Sequence, residues 1–235
     1  MLEVRSNEPE FLDQGGYDPR LAERSYRFMK YVNRYLGGVS MVRRFIAGYA
    51  QPGRPLRVLD MGSGICDIPL AVSAWAQRRG LDIHFTCLDL SPVALRLGRQ
   101  EIQRATDGRV HLLQRDVFAY YNSEQFDLAV GSMFFHHLDD EQILRLLRHL
   151  RPMVTKALLI NDVLRAPRTY LAAAAMSMFL NKSLRHDLLT SVRRGFRVDE
   201  LRRLLGQLDG VSVEAGSYGL GRLRAIVKLG EDRFR

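Results

Sequence analysis

The chain has 235 residues, 46% of them apolar and 26% charged, with a formal charge of +9; this suits one domain with its own core. Two cysteines, Cys66 and Cys87, without metal-ligand spacing read as reduced thiols of a cytoplasmic protein. The longest apolar stretch, 170–180, falls short of the roughly 20 residues a bilayer span needs, and the first residues show no signal-peptide pattern.

In chain order, residues 21–36 place apolar side chains and tyrosines at helical spacing and stop at Gly37-Gly38, and 41–49 predict a second short helix. Gln51-Pro52-Gly53-Arg54-Pro55 is a loop. Strands predicted over 56–60, 82–88, 110–115, 126–131 and 154–161 then alternate with helices over 67–80, 91–105 and 140–150. Ser91-Pro92 supplies an N-cap and a proline at the first helical position. After Asn161-Asp162 the pattern breaks, and 167–195 reads as an insertion. A helix over 198–208 and a hairpin of 211–218 with 223–229, turning through Gly219 and Gly221, close the chain. Strands alternating with helices predict a parallel α/β sheet, to which the hairpin adds one antiparallel strand.

The most informative segment is V-L-D-M-G-S-G-I-C-D, from Val58 to Asp67. An apolar run ends at Asp60, Gly62 and Gly64 permit a tight turn, and a helix follows. Such a turn at the carboxyl end of a strand forms a ligand crevice in open α/β sheets. Asp89 ends the next apolar run, where an acidic side chain can meet a ribose. Asp116 with Val117, and Gly131 with Ser132, follow the third and fourth runs, so four strand ends converge on one edge.

L-D-M-G-S-G, Asp89 in C-L-D-L-S, R-D-V at 115–117 and F-D-L-A-V-G-S-M-F-F-H-H-L resemble the class I S-adenosylmethionine-dependent methyltransferases over roughly residues 55–165. Rossmann dehydrogenases share the first loop but expect a third glycine, where this chain has Cys66; that glycine serves phosphate approach, and S-adenosylmethionine has no phosphate. The resemblance implies a Rossmann-like, seven-stranded, mostly parallel sheet with helices on both faces. It also implies N-terminal helices over 1–54, a cofactor core over 55–164, a helical acceptor lid over 165–197 and a closing segment over 198–235. It assigns Asp60, Gly62, Ser63 and Gly64 to the amino-acid part of S-adenosylmethionine, Asp89 to its ribose, and Leu90, Asp116 and Val117 to its adenine, with Asp67 and Met133 also among the cofactor-binding residues. Ser132 would lie under the sulfonium, and Arg34 in V-N-R-Y-L-G-G would pair with the cofactor carboxylate. The product would be S-adenosylhomocysteine.

Methyl transfer from a sulfonium is an in-line displacement that mainly needs alignment and exclusion of water. A phenolic acceptor, with an ordinary pKa near 10, gains about 10²–10⁴-fold from a base, and His186, His137 and His136 are the candidates. Met176, Phe179, Phe135 and Tyr17 are candidates to contact the acceptor, with Tyr26 a further aromatic. R-H-D-L-L-T-S-V-R-R-G-F resembles bacterial methyltransferases acting on aromatic polyketide or quinone-type compounds.

The expected activity is therefore O-methylation of a small aromatic or polyketide-derived natural product by a monomer or homodimer. C-methylation in quinone-type biosynthesis, an RNA-directed methyltransferase and an inactive cofactor-binding partner stand as alternatives. Arg145, Arg148, Arg151, Arg202 and Arg203 are scattered along helices rather than gathered in a tract. Ser132-Met133-Phe134-Phe135 stands where base-amine methyltransferases carry Asn/Asp-Pro-Pro-aromatic. Nucleic acid is thus not the expected partner. No metal is expected either, because no carboxylate and histidine group shows ligand-like spacing in sequence.

Overall fold

The structure, a computed structural model, describes residues 2–13, 18–105 and 108–229. Tyr17 lies outside the described residues. Two helices, α1 (Pro19–Tyr35) and α2 (Gly38–Ala47), precede the sheet. The alternating core then runs β1 (Leu56–Met61), α3 (Asp67–Gln77), β2 (Ile83–Asp89), α4 (Pro92–Ala105), β3 (Val110–Gln114), β4 (Phe126–Ser132), α5 (Asp140–Leu150) and β5 (Val154–Val163). The insertion resolves into α6 (Pro167–Ser177) and α7 (Lys182–Arg194), and α8 (Val198–Leu205), β6 (Ser212–Tyr218) and β7 (Arg222–Lys228) complete the chain.

The strands form one seven-stranded sheet in the order β3-β2-β1-β4-β5-β7-β6. Only β7 runs antiparallel to its neighbours, β5 and β6. From β1 the chain steps outward to β2 and β3, then returns to place β4 on the other side of β1. Here the strand order reverses, and the carboxyl ends of β1 and β4 splay their following loops apart.

Alternation along the central strands divides the core in two. Leu59, Met61, Ala129, Leu158 and Ile160 face one layer, with Ile143, Leu146, Leu147 and Leu150 of α5 packed in it. Val58, Leu128, Val130, Ala157 and Leu159 face the other, against Met41, Val42, Phe45 and Ile46 of α2 and Ile68 and Val72 of α3. The helical period on α5 and the strand period of two account for both faces. Asp139 accepts from Gln142 N at 2.7 Å while the Gln142 side chain accepts from Asp139 N at 2.9 Å, so a capping box fixes where α5 starts, just past the site.

Boundaries shift for local reasons. Helix α1 starts at Pro19 because Asp18 caps it, accepting from Arg20 N at 2.9 Å. At the Gly37-Gly38 stop signal, Leu36 and Gly37 form a two-residue turn, with Gly37 at φ +91°, and Gly38 already begins α2. Among the described residues, no helix is long and apolar enough to cross a membrane.

Candidate active site

A cleft of about 820 Å³ opens over the carboxyl ends of β1, β2 and β4. Its first half is built by backbone. Gly62 and Gly64 adopt φ +63° and +54°, and Cys66 follows at φ +59°, an uncommon torsion for a residue with a side chain. A Cβ at Gly62 would lie 2.6 Å from the Phe134 ring, so only glycine fits this approach. The Ser63 hydroxyl donates to the Asp60 carbonyl at 2.8 Å. The Asp89 carboxylate accepts from Gly64 N at 2.7 Å and from Ser91 N at 2.9 Å, tying the glycine loop to the end of β2.

Asp60 is buried and, among the described residues, has no cationic partner. Burial raises its carboxyl to about pH 7, and the neighbouring Asp67 and Asp89 add to the rise. Burial also pushes Asp67 and Asp89 up. Three such carboxylates around one cleft favour a ligand that brings positive charge and hydroxyl donors. Asn33 Nδ2 donates to Asp67 at 3.2 Å, and the other end of that amide accepts from the buried Arg222 at 2.9 Å.

The cleft is also lined by Leu90, Asp116, Val117, Ser132 and Met133. The Asp116 side chain accepts from Phe118 N at 2.9 Å, and Asn161 Nδ2 donates to Ser132 Oγ at 3.1 Å. Met133 sits at φ +54°, its N–H held by the Asn161 carbonyl at 2.9 Å.

The other half is built by charged side chains from distant segments. His136 is enclosed: Nδ1 lies 2.6 Å from Asp162 Oδ1, and Nε2 lies 3.2 Å from Glu10 Oε1. Burial opposes its charged form, but Asp162 and then Glu10 outweigh that and lift the imidazole to about pH 10. His136 is therefore an imidazolium at neutral pH and has no lone pair to take an acceptor proton. Beside it, Nδ1 of His137 lies 2.8 Å from Asp13 Oδ1. Arg194, also buried, binds the carbonyls of His136 and His137 at 3.0 and 2.9 Å and Asp13 at 2.6 Å. Arg5 adds contacts to the His136 and Leu138 carbonyls and stacks 4.2 Å over Phe196.

Five expectations are corrected by this geometry. Arg34 is exposed on the outer side of α1, 5.8 Å from the Tyr35 ring, and it is its neighbour Asn33 that faces the cleft. His186 is on the outside of α7, 3.8 Å from Glu8, because one helical step turns it away from the buried Asp187. Asp187 instead accepts from Phe11 N at 2.7 Å. Phe135 is fully buried under Gly131 and is core rather than pocket. Met176 and Phe179 do not line the cleft, and Phe179 is 87% exposed, since α6 packs on α7 to one side. From α6 and α7 together only Ser191 reaches the cleft, and Glu10, Leu12 and Asp13 of the N-terminal segment line it beside the histidines. Glu10, Asp13, Asp162, Arg194 and Arg222 escaped the sequence reading; they converge only through the fold, and the break after Asn161-Asp162 was the sole local sign.

Residues 58–156 match the family described as a methyltransferase domain. Over that segment the chain is similar to methyltransferase domains. Solved methyltransferase structures share the fold: the plantazolicin methyltransferase in complex with SAH has 13% identity and a TM-score of 0.70, with 92% of each chain covered. An O-methyltransferase family protein from Burkholderia thailandensis has 17% identity and a TM-score of 0.70, over 97% of this chain and 66% of that one. Magnesium protoporphyrin IX methyltransferase from Synechocystis PCC 6803 with bound SAH has 14% identity and a TM-score of 0.58, over 97% and 90%. No curated protein sequence matches the chain. Two of these structures hold SAH, and the glycine cradle and the buried Asp60 of this chain fit such a ligand.

Proposed function

We propose that the chain transfers the methyl group of S-adenosylmethionine to a hydroxyl of a small aromatic or polyketide-derived natural product. The observation that carries this reading is the continuity of one cleft from the Asp60–Asp89 half to a half holding His137 with Asp13. Bound S-adenosylmethionine supplies an electrophilic methyl on a sulfonium. In this reading Asp60 and Asp67 hold its ammonium, Asp89 its ribose hydroxyls, and Leu90, Asp116 and Val117 its adenine. Asn33, backed by the Arg222 guanidinium, takes the place expected for Arg34 at the cofactor carboxylate. His137, oriented through Nδ1 by Asp13, accepts the acceptor's proton, while His136 is a positioning residue that holds the turn through Asp162. Leu12, Met29, Phe134 and Leu138 give the cleft the apolar walls an aromatic acceptor needs.

Structural relatives named for plantazolicin and for magnesium protoporphyrin IX lend support to a small or medium-sized acceptor. The test is methyl transfer from S-adenosylmethionine to a panel of phenols, polyketide-type hydroxyls and quinols, with RNA as a separate arm. O-methyl products, falling about 10²–10⁴-fold in His137→Ala with S-adenosylhomocysteine affinity kept, support the reading. Ring-methylated products alone, or methylated RNA alone, overturn it.

A further inference from the structure

The acceptor half contains a group of atoms that the proton-transfer reading does not explain. Glu10, His136 and His137 each offer one ligand atom, and these atoms all lie within 4.8 Å of one another. Glu10 and His136 are buried, at 6% and 1% exposure. His136 Nε2 points at Glu10 across 3.2 Å without the alignment of a hydrogen bond, and it is shut off from solvent. A separation near 3.2 Å is what two ligands share when each stands about 2.1 Å from one ion.

The surroundings are those of ligands rather than of a closed hydrogen-bond network. Asp162 holds Nδ1 of His136 at 2.6 Å, which fixes the ring and raises the basicity of the opposite nitrogen. Ser191 Oγ donates to the Glu10 carboxylate at 2.6 Å and orients it. Glu10, His136, His137 and Ser191 line the cleft, and Asp162 lies outside its lining.

We propose that Glu10, His136 and His137 form a site for a first-row divalent transition-metal ion on the acceptor side of the cleft. The ion displaces the proton that Glu10 otherwise holds on His136 Nε2, and the two neutral imidazoles and one carboxylate then suit Zn²⁺, Fe²⁺ or Mn²⁺ and leave coordination positions open. The inference rests on the hydroxyl-methylation reading for its use: an acceptor oxygen entering an open position binds the ion beside the methyl donor. Its proton is then released to solvent, and the oxygen lone pair forms the O–CH₃ bond as the C–S bond of the donor breaks. Where the ion is bound it promotes the loss of that proton, the role His137 fills as base in the metal-free protein.

The full-length chain, stripped with a chelator and dialysed, is titrated with Zn²⁺ by calorimetry and with Co²⁺ by absorption. The expected result is one tight equivalent, with a Co²⁺ spectrum of nitrogen and oxygen ligands and no thiolate charge-transfer band from Cys66 or Cys87. Glu10→Gln keeps the side-chain shape and should bind at least tenfold more weakly, and His137→Ala likewise. Absence of stoichiometric binding, a thiolate band, or unchanged affinity in both variants overturns the site. S-adenosylhomocysteine is titrated into the same samples. If it binds while the metal does not, the metal site alone falls; if it does not bind, the methyltransferase reading of the cleft falls.

Discussion

The two halves of the cleft are made in opposite ways. The glycine-turn half is a matter of backbone: positive φ at Gly62, Gly64 and Cys66, and N–H groups of Gly64 and Ser91 gathered on one carboxylate. The histidine half is a matter of side-chain charge, with Glu10, Asp13, His136, His137, Asp162 and Arg194 drawn from the N-terminal segment, the turn after β4, the end of β5 and α7. A backbone site needs glycines and little else, so it is set by a few neighbouring residues. A charge site needs every partner present, because one buried charge left alone costs far more than the pair contributes.

Substitutions at the two halves should therefore fail differently. Asp162→Asn leaves the buried His136 imidazolium short of its main partner and is expected to cost about 3–5 kcal/mol of stability. In denaturant titration the midpoint should drop, while the folded fraction still binds S-adenosylhomocysteine. Gly62→Ala puts a Cβ 2.6 Å from Phe134 at φ +63°, with an expected cost of about 1–3 kcal/mol. Here calorimetry should show cofactor affinity lost outright; a variant that binds normally would erase the contrast between the halves.

A pH series sharpens the comparison further. Asp60 has its folded-state pKa raised to about 7, so its contribution to stability is complete below its unfolded value and is lost as pH rises through 7. The amino group of S-adenosylhomocysteine favours the charged carboxylate. Its affinity should rise from pH 5.5 to 7, by up to about tenfold per unit, and level off above. Asp60→Asn should flatten that slope, and a slope kept in the variant would assign it to another group. The smallest effects belong to Arg34→Ala, His186→Ala and Phe179→Ser, all outside the cleft: stability within about 0.5 kcal/mol and unchanged cofactor affinity, by thermal unfolding and calorimetry.

The same division explains what could be read before the structure. Strand, glycine turn and acidic strand end lie within a few residues of one another, so the pattern around Asp60 and Asp89 carries its own geometry. Val58, Leu59, Leu128 and Ala129 alternate between the two core faces as a central parallel strand requires. In the histidine half, Glu10 meets His136 only because β4 and α7 place the histidine turn beside the N-terminal segment. No local period or spacing encodes that meeting. His186 drew attention through the adjacent Asp187, yet a helix sends the two side chains in different directions, and only Asp187 turned inward. Arg34 failed by a single residue for the same reason, since Asn33 occupies the inward face.

The N-terminal segment is stitched down along its length, by Arg5 on the carbonyls of the histidine turn, by Glu10 on Ser191, by Phe11 N on Asp187 and by Asp13 on Arg194, and Leu12 faces the cleft among these anchors. Fixed neighbours on either side make the Leu12 side chain an exchangeable wall. It can be replaced to change the shape of that end of the cleft while Glu10, the glycine turn and the sheet beneath it stay as they are.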